Sequence, residues 1–478
     1  MLFNSYAYIF AFLPVAVLLC IASRSVSLQL SKVIMIWMSL AFYNYLTTKY
    51  MPVLFASCII NYLLYKLMQV NAYSKIALWS GILLNVLSLC YFKYVFFVVS
   101  QLSIKDAEWT YALGLPLAVS FFTFQQISFL VDSYSKKIRN VNTVDYLYYI
   151  TFFPKLIAGP ITRYNDLLPQ ASSRPANYGL LFVGGLSILS VGLFKKIVMS
   201  SIFARYADIG YSIHESVSML EAWCTTLSYT AQIYFDFSGY SDIAIGSAML
   251  LGIRLPDNFN SPYKSVNIRD FWSRWHISLS TWLRDYVYIP LGGSREGFPR
   301  TMVNVIITFL VSGAWHGSHI NFIIWGLLHG AATCINITWS RIGLSMPNLA
   351  GVVVTFLFIN LSWIPFRAES FESAMNMASA LLNFGSIGIN LHDNELSLGQ
   401  AFVASIFKPT RLDLIALLLS VFSIASLITL KNSTEITESI MKQRYSATLI
   451  AITAAAFVVS IVFMFGGASE SQFIYAAF

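Results

Sequence analysis

The sequence predicts an all-α protein that crosses a membrane many times. Of its 478 residues, 57% are hydrophobic and only 11% are charged, whereas about a quarter of the residues in a soluble globular chain are charged. The mean hydropathy is +0.66. The apolar runs are continuous and approach the roughly 20 residues of a helical span, unlike the short alternating strands of a β-barrel. This composition excludes a soluble enzyme, a disordered chain and a nucleic-acid-binding module.

Apolar runs recur along the whole chain and predict ten to twelve crossings, together with re-entrant and interfacial helices. The first run, at about 8–23, follows a start without Lys or Arg, so we expect a retained span rather than a cleaved signal. The run at about 112–131 contains Gly114, Pro116 and two glutamines, so it could re-enter the membrane without crossing it. The other runs lie at about 31–48, 52–71, 77–99, 145–160, 178–200, 219–251, 301–316, 320–340, 350–366, 411–430 and 447–466.

Loop charges predict the orientation of the chain. The net charge of +8 fits cytoplasmic loops that are rich in Lys and Arg, which is the usual pattern in membrane proteins. Residues 136–139 and the long stretch 252–300 are rich in these residues, so both are predicted to be cytoplasmic. The loop after Ile364 has few of them, so it is predicted to be external.

The stretch 269–286 carries too many charges for the hydrocarbon core and is predicted to be an interfacial helix. Trp272, Trp275, Leu279 and Trp282 recur three or four residues apart, so a single helix would place them on one face. A helix with a tryptophan stripe and a basic opposite face lies well in the membrane interface. The pattern also fits a helix packed over the bundle, and the two interpretations are compatible.

Polar side chains within the apolar run 219–251 form a first candidate site. In a helix, Asp236 and Tyr240 share one face, and Ser238 and Asp242 share another. An intramembrane carboxylate faces protein or water rather than lipid. These residues would therefore line a polar tunnel or form hydrogen bonds between helices, and their spacing favours neither interpretation.

Three of the six histidines fall within fourteen residues and form a second candidate site: His316, His319 and His329. On one continuous helix, His316 and His329 would lie about 220° apart around the axis. A break at Gly317-Ser318 would instead let them face each other from two elements. Histidine is the commonest general base, so catalysis and a structural role are about equally favoured before any resemblance is considered.

A metal site is not expected near these histidines. His316 and His319 are three residues apart, but no carboxylate or thiol stands at ligand spacing, and the five cysteines form no C-x-x-C motif. The sequence also has no Walker A loop, no G-x-G-x-x-G, no G-x-S-x-G and no H-E-x-x-H. The chemistries that depend on those motifs are therefore not predicted.

Several motifs in a fixed order resemble the membrane-bound O-acyltransferase family, and most of all its bacterial alginate O-acetylation branch. Each motif is weak alone, but the ordered set is highly specific and covers about residues 110–370. With no repeat or linker, we expect one integral domain over 1–478, with a catalytic core at about 110–370, peripheral helices at 1–100 and C-terminal helices at 400–466. The motifs are GLPLAVSFFTFQ (114–125), FPKLIAGPITR (153–163), FDFSGYSD (235–242), NFNSPY (258–263), RDFWSRWH (269–276), WLRDYVYIPLGG (282–293), WHGSH (315–319), WGLLHG (325–330) and WIPFR (363–367).

The resemblance implies a helical fold that encloses a tunnel, in an acyltransferase of the bacterial inner membrane. It implies that His329 is catalytic and that His316 occupies a second polar site. A neutral His329 would take the proton of a hydroxyl that attacks a thioester, while His316 would orient the acceptor or donate to the oxyanion. The implied donor is acetyl-CoA, without a metal. The implied partners are membrane lipids, a polysaccharide acceptor such as alginate, and an SGNH-type acetyltransferase outside the membrane.

Further residues in the matching motifs are candidates for substrate or tunnel contacts. The arginines among them, together with Lys264 and Arg284, could attract the CoA phosphates, although a positive cytoplasmic loop explains them as well. Two other functions stay open: D-alanine transfer from a carrier protein to teichoic acid, and transport of a small anion or lipid-linked sugar without catalysis. A transporter often has paired broken helices in two halves, and no such pairing is seen. The candidates are Asp236, Ser238, Tyr240, Asp242, Arg269, Trp272, Arg274, Trp282, Trp315 and Trp325.

Overall fold

The computed structural model describes residues 2–101, 118–212, 217–388, 406, 412–442 and 447–466, and these form helices joined by turns. The all-α prediction is confirmed. The start of the predicted re-entrant run, 112–117, lies outside the described residues. The helices are α1 Ala7–Val26, α2 Leu28–Leu46, α3 Met51–Met68, α4 Ser74–Gln101, α5 Val119–Tyr134, α6 Thr143–Thr151, α7 Phe153–Leu156, α8 Tyr164–Ala171, α9 Tyr178–Ser212, α10 Met219–Leu250, α11 Ile268–Arg274, α12 Ile277–Leu283, α13 Phe298–His316, α14 Ile320–Arg341, α15 Asn348–Arg367, α16 Phe371–Ala380, α17 Leu414–Thr429, α18 Ser433–Lys442 and α19 Ala447–Phe465.

Eight of the described helices are long and apolar enough to cross a membrane, or nine if the bent pair α17 and α18 forms one span. This is fewer than the predicted ten to twelve because some apolar runs do not form separate spans. The run at 145–160 is divided into the short helices α6 and α7, with Pro154 at the start of α7. The run at 219–251 forms α10, a helix of 32 residues that carries Asp236 and Asp242, both buried within the protein.

The chain divides into two compact units, of which the first comprises Met1–Ser190, Tyr240–Asp257 and Thr437–Thr453. Aromatic rings form part of its core. Within it, the rings of Phe12, Phe42 and Phe153 lie 5.1 to 5.5 Å apart. Such tilted and edge-to-face pairs add to the stabilisation that burial of the rings provides. They hold the start of α7 against α1 and α2.

The second unit comprises Val191–Gly239, Asn258–Ile436 and Ala454–Phe478. Its helices α13 and α14 form a hairpin that packs at unusually short range. A Cβ atom added at Gly313 or Gly326 would collide with a backbone carbonyl oxygen of the facing helix. Small residues at these positions therefore let the two backbones approach each other, as they do in many membrane helix pairs.

The single helix predicted over 269–286 is wrong, because the structure divides this stretch into α11 and α12. The residue between them, His276, has left-handed backbone geometry with φ of 42°. The neighbouring segment supplies the hydrogen bonds at the break, since the Ile277 amide donates to the Asn258 carbonyl at 3.0 Å. Trp275 is only 1% exposed. The tryptophan stripe therefore packs largely inside the protein.

Candidate active site

The helical hairpin of α13 and α14 brings two of the three clustered histidines onto one aromatic ring. His316 ends α13, and His319 caps the start of α14 with its side chain. The predicted break between His316 and His329 is therefore confirmed. Both imidazoles contact the ring of Trp325, with centroid distances of 5.0 Å for His316 and 4.7 Å for His329.

His329 is fully buried, and both of its ring nitrogens have a hydrogen-bond partner. The indole Nε1 of Trp272 lies 3.2 Å from Nδ1, and the Ser362 hydroxyl lies 3.0 Å from Nε2. An indole N–H can only donate, so Nδ1 presents its lone pair to Trp272 and the hydrogen resides on Nε2. Nε2 then donates to Ser362, whose hydroxyl donates to the Ile359 carbonyl at 2.8 Å. The geometry therefore fixes one tautomer of a neutral imidazole.

Aromatic side chains surround His329 on several sides. The nearest ring centroids besides Trp325 belong to Trp272, at 5.1 Å, and Phe358, at 5.3 Å. Further rings lie at 6.2 to 6.4 Å and belong to Phe271, Phe309 and Trp363. Such a cage excludes water, and hydrogen bonds within it are stronger than those exposed to solvent.

The indole N–H of Trp325 is a buried donor without a hydrogen-bond partner among the described residues. Trp325 is 1% exposed and its ring contacts both His316 and His329. A buried polar group without a partner costs about 1–3 kcal/mol. Natural proteins seldom retain such a group unless a ligand or water completes it.

Of the predicted tunnel residues, Trp272, Trp315 and Trp325 lie at the histidines. Trp315 contacts His316 at a ring distance of 5.0 Å. Asp236 has a different environment, because it pairs with Lys196 and accepts from the Ser200 hydroxyl at 3.0 Å.

The remaining tunnel candidates of α10 do not share one environment. Ser238 is fully buried in the second unit. Tyr240 and Asp242 belong to the first unit, where the Tyr240 ring stacks on Phe3 at 4.9 Å. Their role in a tunnel stays a prediction.

The basic candidates of the 252–300 stretch have partners within the protein. Arg269 donates to the side chains of Asn336 at 2.6 Å and Ser340 at 2.8 Å, which ties α11 to the end of α14. Arg274 pairs with Asp270 at 2.8 Å. Trp282 packs on Tyr286 at a ring distance of 5.1 Å. These contacts give the two arginines a structural role, and binding of CoA phosphates stays a prediction.

Within the described parts of the chain, no three His, Cys, Asp or Glu side chains are grouped closely enough to hold a metal ion. The side chains beside the histidines supply imidazole, indole and hydroxyl groups. These groups can move a proton and donate hydrogen bonds to a developing negative charge.

Two residues at this site were not among the sequence candidates. Ser362 lies 33 residues beyond His329, and no periodicity connects them. The other is His276, whose Nδ1 lies 3.1 Å from the Asn258 side-chain oxygen and whose ring lies 6.2 Å from that of Trp315. Burial lowers the pKa of His276 to about 3, so its imidazole is neutral at physiological pH. The RDFWSRWH motif was the available signal for this histidine.

Residues 27–342 match the model of the membrane-bound O-acyltransferase family. The chain belongs to this family. It is therefore a multi-pass membrane enzyme that transfers acyl groups, and the resemblance of its motifs is confirmed.

Similar proteins match this acyltransferase over all or part of its length. The peptidoglycan O-acetyltransferase of Helicobacter pylori is 36% identical over 100% of the chain and 98% of its own length. The probable alginate O-acetylase of Pseudomonas aeruginosa is 34% identical over 81% of the chain and 76% of its own. The teichoic acid D-alanyltransferase of Bacillus subtilis is 28% identical over 54% of the chain and 69% of its own.

Proposed function

We propose that this acyltransferase moves an acetyl group from cytoplasmic acetyl-CoA to a hydroxyl destined for an extracellular or cell-wall polysaccharide. The observation that carries the proposal is the buried His329, held at both ring nitrogens by Trp272 and Ser362. The relatives support the same chemistry, because two of them are named for O-acetylation of peptidoglycan and of alginate. An SGNH-type transferase outside the membrane would be the partner that receives the acetyl group on its way to the polymer.

His329 acts as the general base at Nδ1, the nitrogen that presents a lone pair. The acceptor hydroxyl displaces the Trp272 indole from Nδ1, and its oxygen attacks the thioester carbonyl carbon as Nδ1 takes the proton. Ser362 keeps its hydrogen bond to Nε2 and holds the ring in place. The C–S bond then breaks, and the CoA thiolate leaves with the proton from Nδ1. The products are an acetyl ester and free CoA.

In this proposal the Trp325 indole stabilises the oxyanion of the reaction. Its N–H has no partner among the residues described, and its ring contacts the base. A donor that waits without a partner needs no reorganisation when negative charge develops on the carbonyl oxygen. His316 contacts the other side of the site through the same Trp325 ring, at a centroid distance of 5.0 Å. It would orient the acceptor.

Replacing Trp325 with phenylalanine is expected to lower kcat by about 10²–10³-fold, the usual cost of losing one oxyanion donor. Phenylalanine keeps an aromatic ring in the hairpin but has no N–H to donate. Steady-state release of CoA from acetyl-CoA measures the effect, and KM should change little. Trp339→Phe is the matched control, because Trp339 lies on the same helix and is 39% exposed. Equal kcat values for the two variants would remove Trp325 from the mechanism.

Donor preference tests the proposed function as a whole. Purified protein in nanodiscs would receive labelled acetyl-CoA, palmitoyl-CoA or a D-alanyl carrier protein, and thiol release and label transfer would be followed. We expect acetyl-CoA to be consumed fastest, because a short acyl group needs no long apolar groove. The assay should be repeated with the partner transferase present, since acceptor supply limits turnover.

The other outcomes distinguish the competing functions. Consumption of the D-alanyl carrier alone would favour D-alanine transfer, to which the 28% identity with a teichoic acid D-alanyltransferase also points. Binding of acetyl-CoA without any thiol release, even with the partner, would count against acetyl transfer. Consumption of palmitoyl-CoA at an equal rate would show that the donor is not restricted to short acyl groups.

A further inference from the structure

Arg24 lies in the last turn of α1, in the first unit, and its guanidinium has no partner. The side chain is half-buried and its Nε is fully buried. It forms neither an ion pair nor a hydrogen bond with the described residues. A buried polar group in a native protein nearly always has a partner, whether protein, water or ligand. The five donors of this guanidinium are therefore available to an acceptor from outside the protein.

The guanidinium of Arg24 packs against the end of helix α10. Gly252, just beyond the last residue of this helix, has left-handed backbone geometry with φ of 76°. A Cβ atom added at Gly252 would collide with Nη1 of Arg24 and would lie 2.9 Å from Cγ of Pro175. Glycine at this position therefore leaves room for the guanidinium. The C-terminal end of a helix is also a favourable place for a positive charge.

Capping of α10 does not explain the position of Arg24, because other groups provide the cap. The amides of Gly252 and Ile253 donate to carbonyls of the last turn, each at 2.9 Å, in the pattern of a Schellman motif. The Tyr178 hydroxyl donates to the Leu250 carbonyl at 2.6 Å. None of these hydrogen bonds involves Arg24. The helix end thus holds the positive charge without using its donors.

A second arginine, Arg174, approaches Arg24 from the loop after α8. Its guanidinium donates to the backbone carbonyl of Arg24 at 3.3 Å, and the side chain is exposed. Arg174 forms no ion pair with the residues that the structure describes. Pro175, the next residue in the chain, contacts the same point of α10 as Arg24 does. Two guanidinium groups without a carboxylate partner therefore meet where α1 ends.

Other cations around the two arginines do have carboxylate partners. Lys32, which donates to the Ser172 hydroxyl at 2.8 Å, pairs with Asp145 at 2.6 Å. Arg254, two residues beyond Gly252, pairs with Glu438 at 3.2 Å. The carboxylates of both pairs are thus engaged with cations other than Arg24 and Arg174.

The two arginines belong to the side of the membrane that loop charges predict to be cytoplasmic. Gly252, which contacts Arg24, begins the basic stretch 252–300. The phosphate groups of anionic lipids are concentrated at the cytoplasmic surface, and basic pockets between membrane helices bind them there. Phosphate is therefore the anion that these guanidinium groups would meet.

We propose that Arg24 and Arg174 form a phosphate-binding site at the cytoplasmic membrane interface. A planar guanidinium binds phosphate through two parallel hydrogen bonds, which suits arginine better than lysine at both positions. Two sources of phosphate reach this interface: the headgroup of an anionic phospholipid, and CoA. Only the assignment to CoA rests on the proposed function. A lipid headgroup would fix the end of α1 against the loop after α8 whatever reaction the enzyme performs.

Equilibrium titration of the full-length protein in detergent tests the site with two probes, dioctanoyl phosphatidylglycerol and CoA. We expect Arg24→Gln to weaken at least one probe by about tenfold or more, because hydrogen bonds to charged groups are the stronger kind. Arg174→Gln, at the surface, should weaken the same probe at least about threefold. Arg24→Lys should fall between wild type and Arg24→Gln, since lysine keeps the charge but not the planar fork.

Arg139→Gln is the matched control for general effects of charge. Arg139 is exposed in the other loop predicted to be cytoplasmic, and it too donates to a backbone carbonyl, that of Lys136 at 3.2 Å. Its substitution should change the affinity of either probe by less than about twofold. Thermal unfolding of the ligand-free samples checks that each variant folds, and Arg174→Gln keeps the test decisive if Arg24→Gln does not.

The probe that is affected identifies the source of the phosphate. Weaker binding of phosphatidylglycerol alone assigns a lipid site, weaker binding of CoA alone assigns the phosphates of the donor, and weaker binding of both assigns a site that accepts either. No binding of either probe to the wild type, unchanged affinities in the Arg24 and Arg174 variants, or an equal loss in Arg139→Gln would overturn the inference. Release of CoA from acetyl-CoA by the wild type, measured separately, tests the proposed function, and its failure would leave the lipid titration valid.

Discussion

Replacing His329 with glutamine is expected to lower acetyl transfer by about 10²–10⁴-fold, the usual contribution of a general base. Glutamine can accept from the Trp272 indole and donate to Ser362, so it keeps both hydrogen bonds that hold His329. It cannot take the proton of the acceptor hydroxyl. The expected result is a protein that folds and binds acetyl-CoA normally but releases CoA very slowly.

The controls for this variant separate proton transfer from packing. His329→Ala should lose as much activity and also stability, because it leaves a cavity and two groups without partners. His319→Ser should keep wild-type activity, since serine is a good helix N-cap and His319 serves that role at the start of α14. A His329→Gln variant with wild-type kcat would contradict the assignment of the base. Radiolabelled acetyl-CoA turnover and thermal unfolding, measured on the same samples, decide between these outcomes.

The sequence was most informative where local pattern and tertiary structure agree. Gly317 and Ser318 interrupt an apolar run between His316 and His329, and the structure turns the chain there. Residues close together in the chain could therefore predict the break, and also that His316 and His329 lie on the two helices of one hairpin. Membrane insertion was predictable for the same reason, since apolar length is a local property.

The periodicity of 269–286 failed because long-range contacts override it. Spacing places Trp272 and Trp282 on one face of a continuous helix, yet the backbone breaks at His276, which has positive φ. The break depends on the Asn258 carbonyl, which accepts from the Ile277 amide. No pattern within the stretch encodes that partner. As a result Trp272 reaches His329 while Trp282 packs elsewhere, on Tyr286.

The contact between α10 and the π-helical turn Phe194–Met199 of α9 could not be predicted from the sequence either, because it joins residues that are far apart in the chain. From the sequence, Asp236 could equally line a tunnel or form hydrogen bonds between helices, because an intramembrane carboxylate faces protein or water. Its partner Lys196 lies 40 residues earlier in another helix. The π-helical turn carries both Lys195 and Lys196, and both are buried. A π-turn is set by tertiary packing rather than by local propensity.

Replacing Lys196 with methionine is expected to lower the free energy of unfolding by about 3–5 kcal/mol, the usual cost of breaking a buried ion pair. The two side chains of the pair are only 1% and 2% exposed. The substitution would therefore remove the positive charge beside Asp236 at a place that water does not reach. The Ser200 hydroxyl, 3.0 Å from Asp236, cannot replace a full positive charge. Asp236→Asn should destabilise the protein by a similar amount. Unfolding of the purified protein in mixed micelles measures the effect.

The double variant Lys196→Met/Asp236→Asn should recover at least half of the loss, because it removes both charges of the pair together. Arg254→Met is the control, since Arg254 and Glu438 form an exposed pair at 3.2 Å and exposed pairs contribute less than about 1 kcal/mol. Wild-type stability of the single variants would show that the pair does not stabilise the fold. The double variant also resolves the two interpretations of Asp236. If it is stable and active, Asp236 serves packing, whereas a stable but inactive protein would place its carboxylate on the substrate path.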